Sequence, residues 1–238
     1  MRVRRVRVAA LQAGTVRLVG KEAHHLARVL RLASGDPVQA FDGSGLVADG
    51  VVAGVEEGAV NLTLEAPREG EREAPIRVTL AVSLLKGDKL AGVVRQATEL
   101  GVHAVQLVHA RRADVPTLGA AKAKRLVRIA EEAAKQSGRS SVPEVRDPIA
   151  LRDVVGSEPT WIADPRGDRF YGDVVDAWLE EGQEAVTIVT GPEGGFEPGE
   201  VTELVAQGAV AVRFGARILR AETAPIALAA ALLGRVDG

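Results

Sequence analysis

No cysteine occurs in the 238 residues, which excludes disulfides, cysteine-ligated zinc, iron–sulfur clusters and thiol nucleophiles. Only carboxylates and four histidines remain as metal ligands, and no metal site is expected. No window approaches the roughly 18 consecutive apolar residues of a membrane span. The Arg-rich start MRVRRVRVAALQ lacks the longer apolar stretch and cleavage site of a secretory signal. The chain therefore reads as cytoplasmic and not membrane-bound. Also missing are G-x-x-x-x-G-K-[ST], G-x-S-x-G, H-E-x-x-H and an EF-hand loop. The first strand of the later half runs into LLKGDKL, not a glycine fingerprint, so a dinucleotide site is not supported.

What is present is a core-forming composition, 46% hydrophobic and 26% charged, which excludes extensive disorder. The net charge of −2 conceals an asymmetry. Residues 1–31 hold eight Arg or Lys against the single acid Glu22, a net of +7, so the remainder carries −9. A basic segment on a mildly acidic protein suits a phosphate-binding module, although a solvated Arg-rich surface would look the same. Arginine outnumbers lysine and asparagine is nearly absent, a bias shared by thermophile proteins and GC-rich genomes.

Up to Glu65 the chain alternates short β-like pieces, RRVRVAAL, TVRLVG, DPVQAFDG, LVADGVVAGV and AVNLTLEA, with one short helical stretch, KEAHHLARVLRL. That spacing predicts a small barrel or strongly bent sheet. PREGEREAP, from Pro67 to Pro75, breaks the pattern and marks a boundary between domains at 1–68 and 74–238. Beyond it, strands separated by longer helices predict a parallel sheet. IRVTLAVSLL, VHAVQLVHA, TWIADP, AVTIVTGPEGG and AVAVRFG are the strands. DKLAGVVRQATELG, AAKAKRLVRIAEEAAKQSG, FYGDVVDAWLEE, PGEVTELVAQG and TAPIALAAALLG are the helices, the last so apolar that it must be buried in the domain or against a second subunit.

Two unusual segments fall at the carboxyl ends of predicted strands, where open α/β sheets place ligands. Thr190-Gly191-Pro192-Glu193-Gly194-Gly195-Phe196 can bring exposed backbone close to a ligand, or can be a strand-to-helix turn. In Phe214 to Ala224, two arginines and a glutamate flank Ile218-Leu219 before the apolar helix, with Thr223 as a candidate cap. Charges entering such a helix need partners or a substrate. The residues alone suggest that both segments line a small-molecule site.

GPEGGF followed by FGARILRAETA, preceded by LLKGDK, QATELGV and EAAKQSGR, with HHLARVLRL, GD and FDGSG earlier, resembles the bacterial 16S ribosomal RNA uridine-N3 methyltransferases of the SPOUT class. The resemblance spans nearly the whole chain in order, with Phe214 standing where leucine is commoner. It implies a PUA-like amino-terminal RNA-binding β-barrel and a SPOUT-type parallel sheet with a carboxyl-terminal trefoil knot. It further implies S-adenosyl-L-methionine as donor, held largely by backbone of three loops: Ala163, Asp164 and Pro165; Thr190, Gly191, Pro192, Glu193, Gly194 and Gly195; and Phe214, Gly215, Ile218, Leu219 and Arg220. Members of this class are usually homodimers, and the expected substrate is 16S ribosomal RNA in the small ribosomal subunit.

Uridine N3 is protonated at neutral pH, so the reaction needs a proton acceptor or a stabilised anion. The assignment that follows gives Arg220 the charge developing on uracil O2/O4, and gives Glu222 or Glu193 the task of orienting Arg220 or taking the proton. The alternative is a structural Arg220–Glu222 ion pair. N3 lies on the Watson–Crick edge, so the base must be unpaired or flipped. With 3% aromatics to stack on it, RNA binding is expected to rest on phosphate contacts from Arg2, Arg4, Arg5, Arg28, Arg31, Arg112 and Arg139, with His24, His25 and Gln136 as further contacts.

Overall fold

The computed structural model describes residues 3–236, so the candidate Arg2 lies outside the described residues. The chain forms two compact units, one running to Glu73 and taking in Ala134–Val142, the other comprising Ala74–Ala133 and the chain from Pro143.

The first unit is built on β1 (Arg4–Arg7), β2 (Gly14–Val19), β3 (Pro37–Phe41), β4 (Leu46–Glu56), β5 (Ala59–Leu64) and the two-residue β6 (Arg68–Glu69). Its sheet runs β1-β3-β4-β5-β2, with β6 on β4. β1 and β3 pair in parallel and the other ladders are antiparallel. The register slips at Val52/Gly54, a bulge that bends β4. Alternation delivers Val38 and Ala40, Val60 and Leu62 to one core, where Val6, Leu18 and Leu26 join them. Leu26 comes from the short helix α1 (Gly20–His24), which continues as a π-helical turn over His25–Val29.

Charge is buried here as well as apolar surface. Glu73 accepts from Arg139 Nε at 3.1 Å and Nη2 at 2.8 Å, and from the Ser140 and Ser141 amides at 2.8 and 2.9 Å. Arg139 is 4% exposed, so this arginine holds a turn together and is not offered to RNA, a correction to the expectation above. Arg5 is corrected for a similar reason. It donates to Gln39 Oε1 and to the Arg139 carbonyl, both at 2.7 Å, and lies 4.8 Å over the Phe41 ring. A guanidinium so engaged has little left for a phosphate. Lys135 pairs with Glu22 in the same unit.

The second unit contains β7 (Arg77–Ser83), α2 (Lys89–Leu100), β8 (Ala104–His109), the first part of α3 (Ala120–Ser137), β9 (Glu144–Ala150), β10 (Thr160–Ala163), β11 (Arg169–Phe170), α4 (Tyr171–Glu180), β12 (Ala185–Thr190), α5 (Pro198–Ala206), β13 (Val210–Arg213) and α6 (Ala224–Leu233). All seven strands are parallel, in the order β11-β13-β10-β12-β7-β8-β9. β7 is buried from Val78 onward because helices cover both faces, which is why it reads as one apolar run. β9 is a strand that periodicity missed. It lies at the sheet edge and carries Pro148 in a register shift opposite β8, where Gln106 Nε2 donates to the Asp147 carbonyl at 2.8 Å. The buried residues Pro225, Leu228, Ala229, Leu232 and Leu233 of α6 find their cover within this unit, against α2, β7 and β12.

α2 stops at Gly101, whose φ of 101° is left-handed, and the Val102 amide closes back on the Ala97 carbonyl at 3.0 Å. A Cβ at Gly101 would also stand 3.3 Å from that of Ala74. Gly101→Ala is expected to destabilise the unit by about 1–2 kcal/mol, read by chemical denaturation.

Candidate functional site

β13, β10 and β12 are neighbours, and the register aligns their ends: Ala163 pairs with Thr190 on one side and Val212 on the other. Three loops therefore leave the same edge of the sheet side by side. They are the two segments that the residues singled out and the Ala163–Pro165 loop that the resemblance added, brought together by strand order and not by chain order.

The first loop is held by Asp164, 4% exposed. Its amide donates to the Val212 carbonyl at 2.9 Å, and its carboxylate accepts from the Arg166 amide at 2.7 Å, Nε at 2.9 Å and Nη2 at 2.7 Å. The Arg166 side chain is the main reason that the Asp164 carboxyl lies below the usual range. At Gly167 an added Cβ would meet the Val212 backbone at 2.8 Å, so only glycine lets the loop lie this close to β13. Asp164 thus shapes the loop with its side chain, leaving Pro165 to line a concavity of about 420 Å³ with Phe170, Arg213, Gly215, Ala216, Arg217 and Ile218.

In the second loop the Gly195 amide turns back to the Pro192 carbonyl at 2.9 Å. Thr190 is 1% exposed and its Oγ1 has no hydrogen-bond partner. A buried hydroxyl left in this state is a polar group available to a ligand. Arg112, expected on RNA, is exposed and reaches Gly194 O at 3.4 Å and Glu197 at 3.8 Å.

The third loop is exposed from Gly215 to Ile218, with Ile218 83% exposed. Phe214 packs edge-on against Tyr171, ring centroids 5.6 Å apart. Arg220 caps the entry to α6 with its carbonyl, which accepts from Thr223 N and Ala224 N at 2.9 Å; Thr223 stands at the N-cap but its side chain makes no cap bond. The Arg220 side chain is exposed and forms no ion pair among the described residues. Neither expected carboxylate orients it.

Both carboxylates turn instead to Lys89, at the first turn of α2. Its Nζ lies 2.8 Å from Glu193 Oε1 and 3.6 Å from Glu222 Oε2. The Lys86 amide adds a 3.3 Å hydrogen bond to Glu193. Burial pushes the Glu193 carboxyl up, but the bonds from Lys89 and the backbone outweigh it and hold the group below the usual range. Glu222 Oε2 is buried without a hydrogen bond, since 3.6 Å is too long for one. Lys89 and Arg166, which pair with carboxylates of these loops, are the residues at this edge that sequence reasoning missed. Lys89 stood in LLKGDK, a segment that counted toward the resemblance but was given no role of its own.

In the first unit, Lys21, His24 and Arg28 are exposed on α1 and its π-helical continuation, and Arg31 is exposed just beyond it with a left-handed φ of 54°. Arg4 is exposed and His25 half-buried; Gln136 is exposed in the last turn of α3. Among the described residues no helix is long and apolar enough to cross a membrane, and no group of three or more His, Asp or Glu is placed to hold a metal.

The description "RNA methyltransferase domain" matches residues 72–233, and "RNA methyltransferase PUA domain" matches residues 18–65. A Bacillus subtilis protein named ribosomal RNA small subunit methyltransferase E is 36% identical over 231 residues, covering 90% of this chain and 88% of the relative. Its Synechocystis namesake is 38% identical over 221 residues, covering 90% and 72%. The structure of ribosomal RNA small subunit methyltransferase E from Neisseria gonorrhoeae, bound to S-adenosyl methionine, superposes with a TM-score of 0.88 at 30% identity, covering 98% of both chains. A methyltransferase from Legionella pneumophila, also with this cofactor bound, gives 0.87 at 26% identity, covering 99% and 98%.

Proposed function

The chain belongs to the ribosomal RNA small subunit methyltransferase E family, and from that premise we propose that it methylates N3 of a specific uridine in 16S ribosomal RNA, on the assembled small subunit in the cytoplasm. The observation that carries this reading is the alignment of three loops at one sheet edge with an unpaired arginine and a carboxylate beside them.

S-adenosylmethionine fits that edge. The concavity of about 420 Å³ is lined by Pro165, Phe170, Gly215, Ala216 and Ile218 together with Arg213 and Arg217, and Thr190 Oγ1 is a buried hydroxyl without a hydrogen-bond partner. Ala163 to Pro165, Thr190 to Gly195 and Phe214 to Arg220 would hold it mainly through backbone. When bound, its sulfonium supplies an electrophilic methyl without a metal. The protein then has to hold uracil in line, worth up to about 7–11 kcal/mol in well-oriented systems. Arg220, exposed and unpaired, is free to take the charge that develops on O2 or O4 as the N3 proton leaves. Glu222, with a buried oxygen lacking a hydrogen bond, is the better proton acceptor; Glu193 is committed to Lys89 and the Lys86 amide.

The order in which the chain visits the sheet supports the expected trefoil knot, since β12 inserts between strands already laid down and α6 then returns to β7 and β12. The homodimer belongs to the same reading. So does the assignment of residues 1–68 to RNA binding and 74–238 to methyl transfer. The exposed side chains of Lys21, His24, Arg28 and Arg31 are the phosphate contacts this reading assigns to the first unit. Arg28→Ala with Arg31→Ala is expected to lower RNA affinity and to reduce the slope of log K against log salt by about 2, checked by filter binding across a salt series.

The deciding experiment is transfer of labelled methyl from S-adenosylmethionine to small subunits lacking the modification, followed by primer extension. A new stop at one uridine supports the assignment, because N3 methylation blocks pairing. Alkali resistance at one linkage without a stop means ribose methylation instead, and folded protein that binds no donor means an RNA-binding protein without catalysis.

A further inference from the structure

The Lys89 contacts join two segments that the chain itself keeps apart. Glu193 belongs to the loop after β12, and Glu222 to the turn before α6. Lys89 is 104 residues from the first and reaches both from the start of a third element, α2. The charges just before that element are spoken for elsewhere: Asp88 with Arg125 at 2.6 Å, and the Lys86 ammonium with Asp114 at 2.9 Å. Without the Lys89 ammonium two carboxylates would face each other across the gap between the loops, and like charges at short range repel.

We propose that Lys89 is a positioning residue for methyl transfer, an ionic clasp that holds the Thr190–Gly195 loop and the Arg220–Glu222 turn in register by bridging Glu193 and Glu222. This rests on the reading of the strand-end edge as the methyl-transfer site. The clasp acts on geometry, through the two carboxylates that Lys89 holds. Glu193 is anchored at hydrogen-bond distance, and the longer approach to Glu222 leaves that carboxylate an oxygen for the reaction. The cation on Lys89 is reinforced by the bond to Glu193, so it stays charged across the working pH range.

Lys89→Met keeps the length of the stem and removes the charge. On the full chain, at a temperature where circular dichroism shows it folded, it is expected to lower kcat at least tenfold while KM for RNA stays within about twofold. Lys89→Arg, which can still bridge two carboxylates, is expected to restore kcat to within about threefold of the parent. In a Glu193→Gln background, Lys89→Met is expected to cost little more, because the clasp is already open. A second readout needs no activity: carbon-13 NMR of the Glu193 carboxyl, titrating below the usual range in the parent, moves up in Lys89→Met. Unchanged kcat, no rescue by arginine, or losses that simply add with Glu193→Gln would overturn the proposal. If the parent itself binds no donor, the site reading fails, and the NMR titration still decides whether the clasp exists.

Discussion

Arg220→Ala is expected to lower methyl transfer by about 100–1000-fold, the usual loss when one donor to a developing oxyanion is removed, with donor affinity within about twofold of the parent. The structure separates the two effects cleanly. Arg220 contributes to the fold through its carbonyl, which caps α6 by accepting from Thr223 and Ala224, and alanine retains that carbonyl. Its side chain is exposed and pairs with neither Glu193 nor Glu222, so truncation strands no buried charge. Calorimetric titration with S-adenosylmethionine and single-turnover transfer to RNA test the two halves independently. Unfolding, or loss of donor binding in step with activity, would return Arg220 to a structural role. Arg220→Lys is expected to recover only part of the rate, because an ammonium cannot match the planar fork of a guanidinium.

Glu73→Gln is expected to destabilise the first unit by about 3–5 kcal/mol, the range found when one member of a buried ion pair is removed. Arg139 is the reason. Its side chain is 5% exposed, and the amide substituted at Glu73 would turn an N–H₂ toward groups that are themselves donors. Burial raises the Glu73 carboxyl, but Arg139 and the Ser140 and Ser141 amides outweigh it and hold the group below the usual range. A depressed carboxylate stabilises the fold above its unfolded value of about 4.3 and loses that contribution as pH falls through the folded value. The parent should therefore hold its advantage over the variant at pH 7 and lose it progressively below about pH 4. Denaturant titrations of both proteins at several pH values, following the first unit, measure this directly. A constant difference between the two across that range would mean that Glu73 acts through shape and not through charge.

The parallel α/β rhythm was legible because burial on both faces leaves a continuous apolar signature, as in IRVTLAVSLL. β9 escaped because an edge strand with a proline and half-exposed residues has no such signature. The second and third loops were legible as compositions, by their glycines and by charges beside an apolar helix; the first came only with the family resemblance. Their roles were less so. Arg5, Arg112 and Arg139 looked like the other arginines, yet the structure binds the first to Gln39 and Phe41, the second to Gly194 and Glu197, and the third to Glu73. Arg28 and Arg31, with the same side chain, are left facing solvent.

By itself the sequence determined most of the strands and helices and which short stretches are chemically unusual. These are local properties, set by backbone sterics and by the period at which apolar side chains recur. Only the tertiary structure decided that β10, β12 and β13 would end side by side, and that Lys89 would close on Glu193. It also decided that Arg139 would be spent on Glu73, 66 residues away. Pairings at such separations depend on the path of the whole chain through the sheet. No local pattern carries that information, because a lysine or arginine reads the same in sequence whether its partner is solvent, a phosphate or a carboxylate delivered by a distant strand.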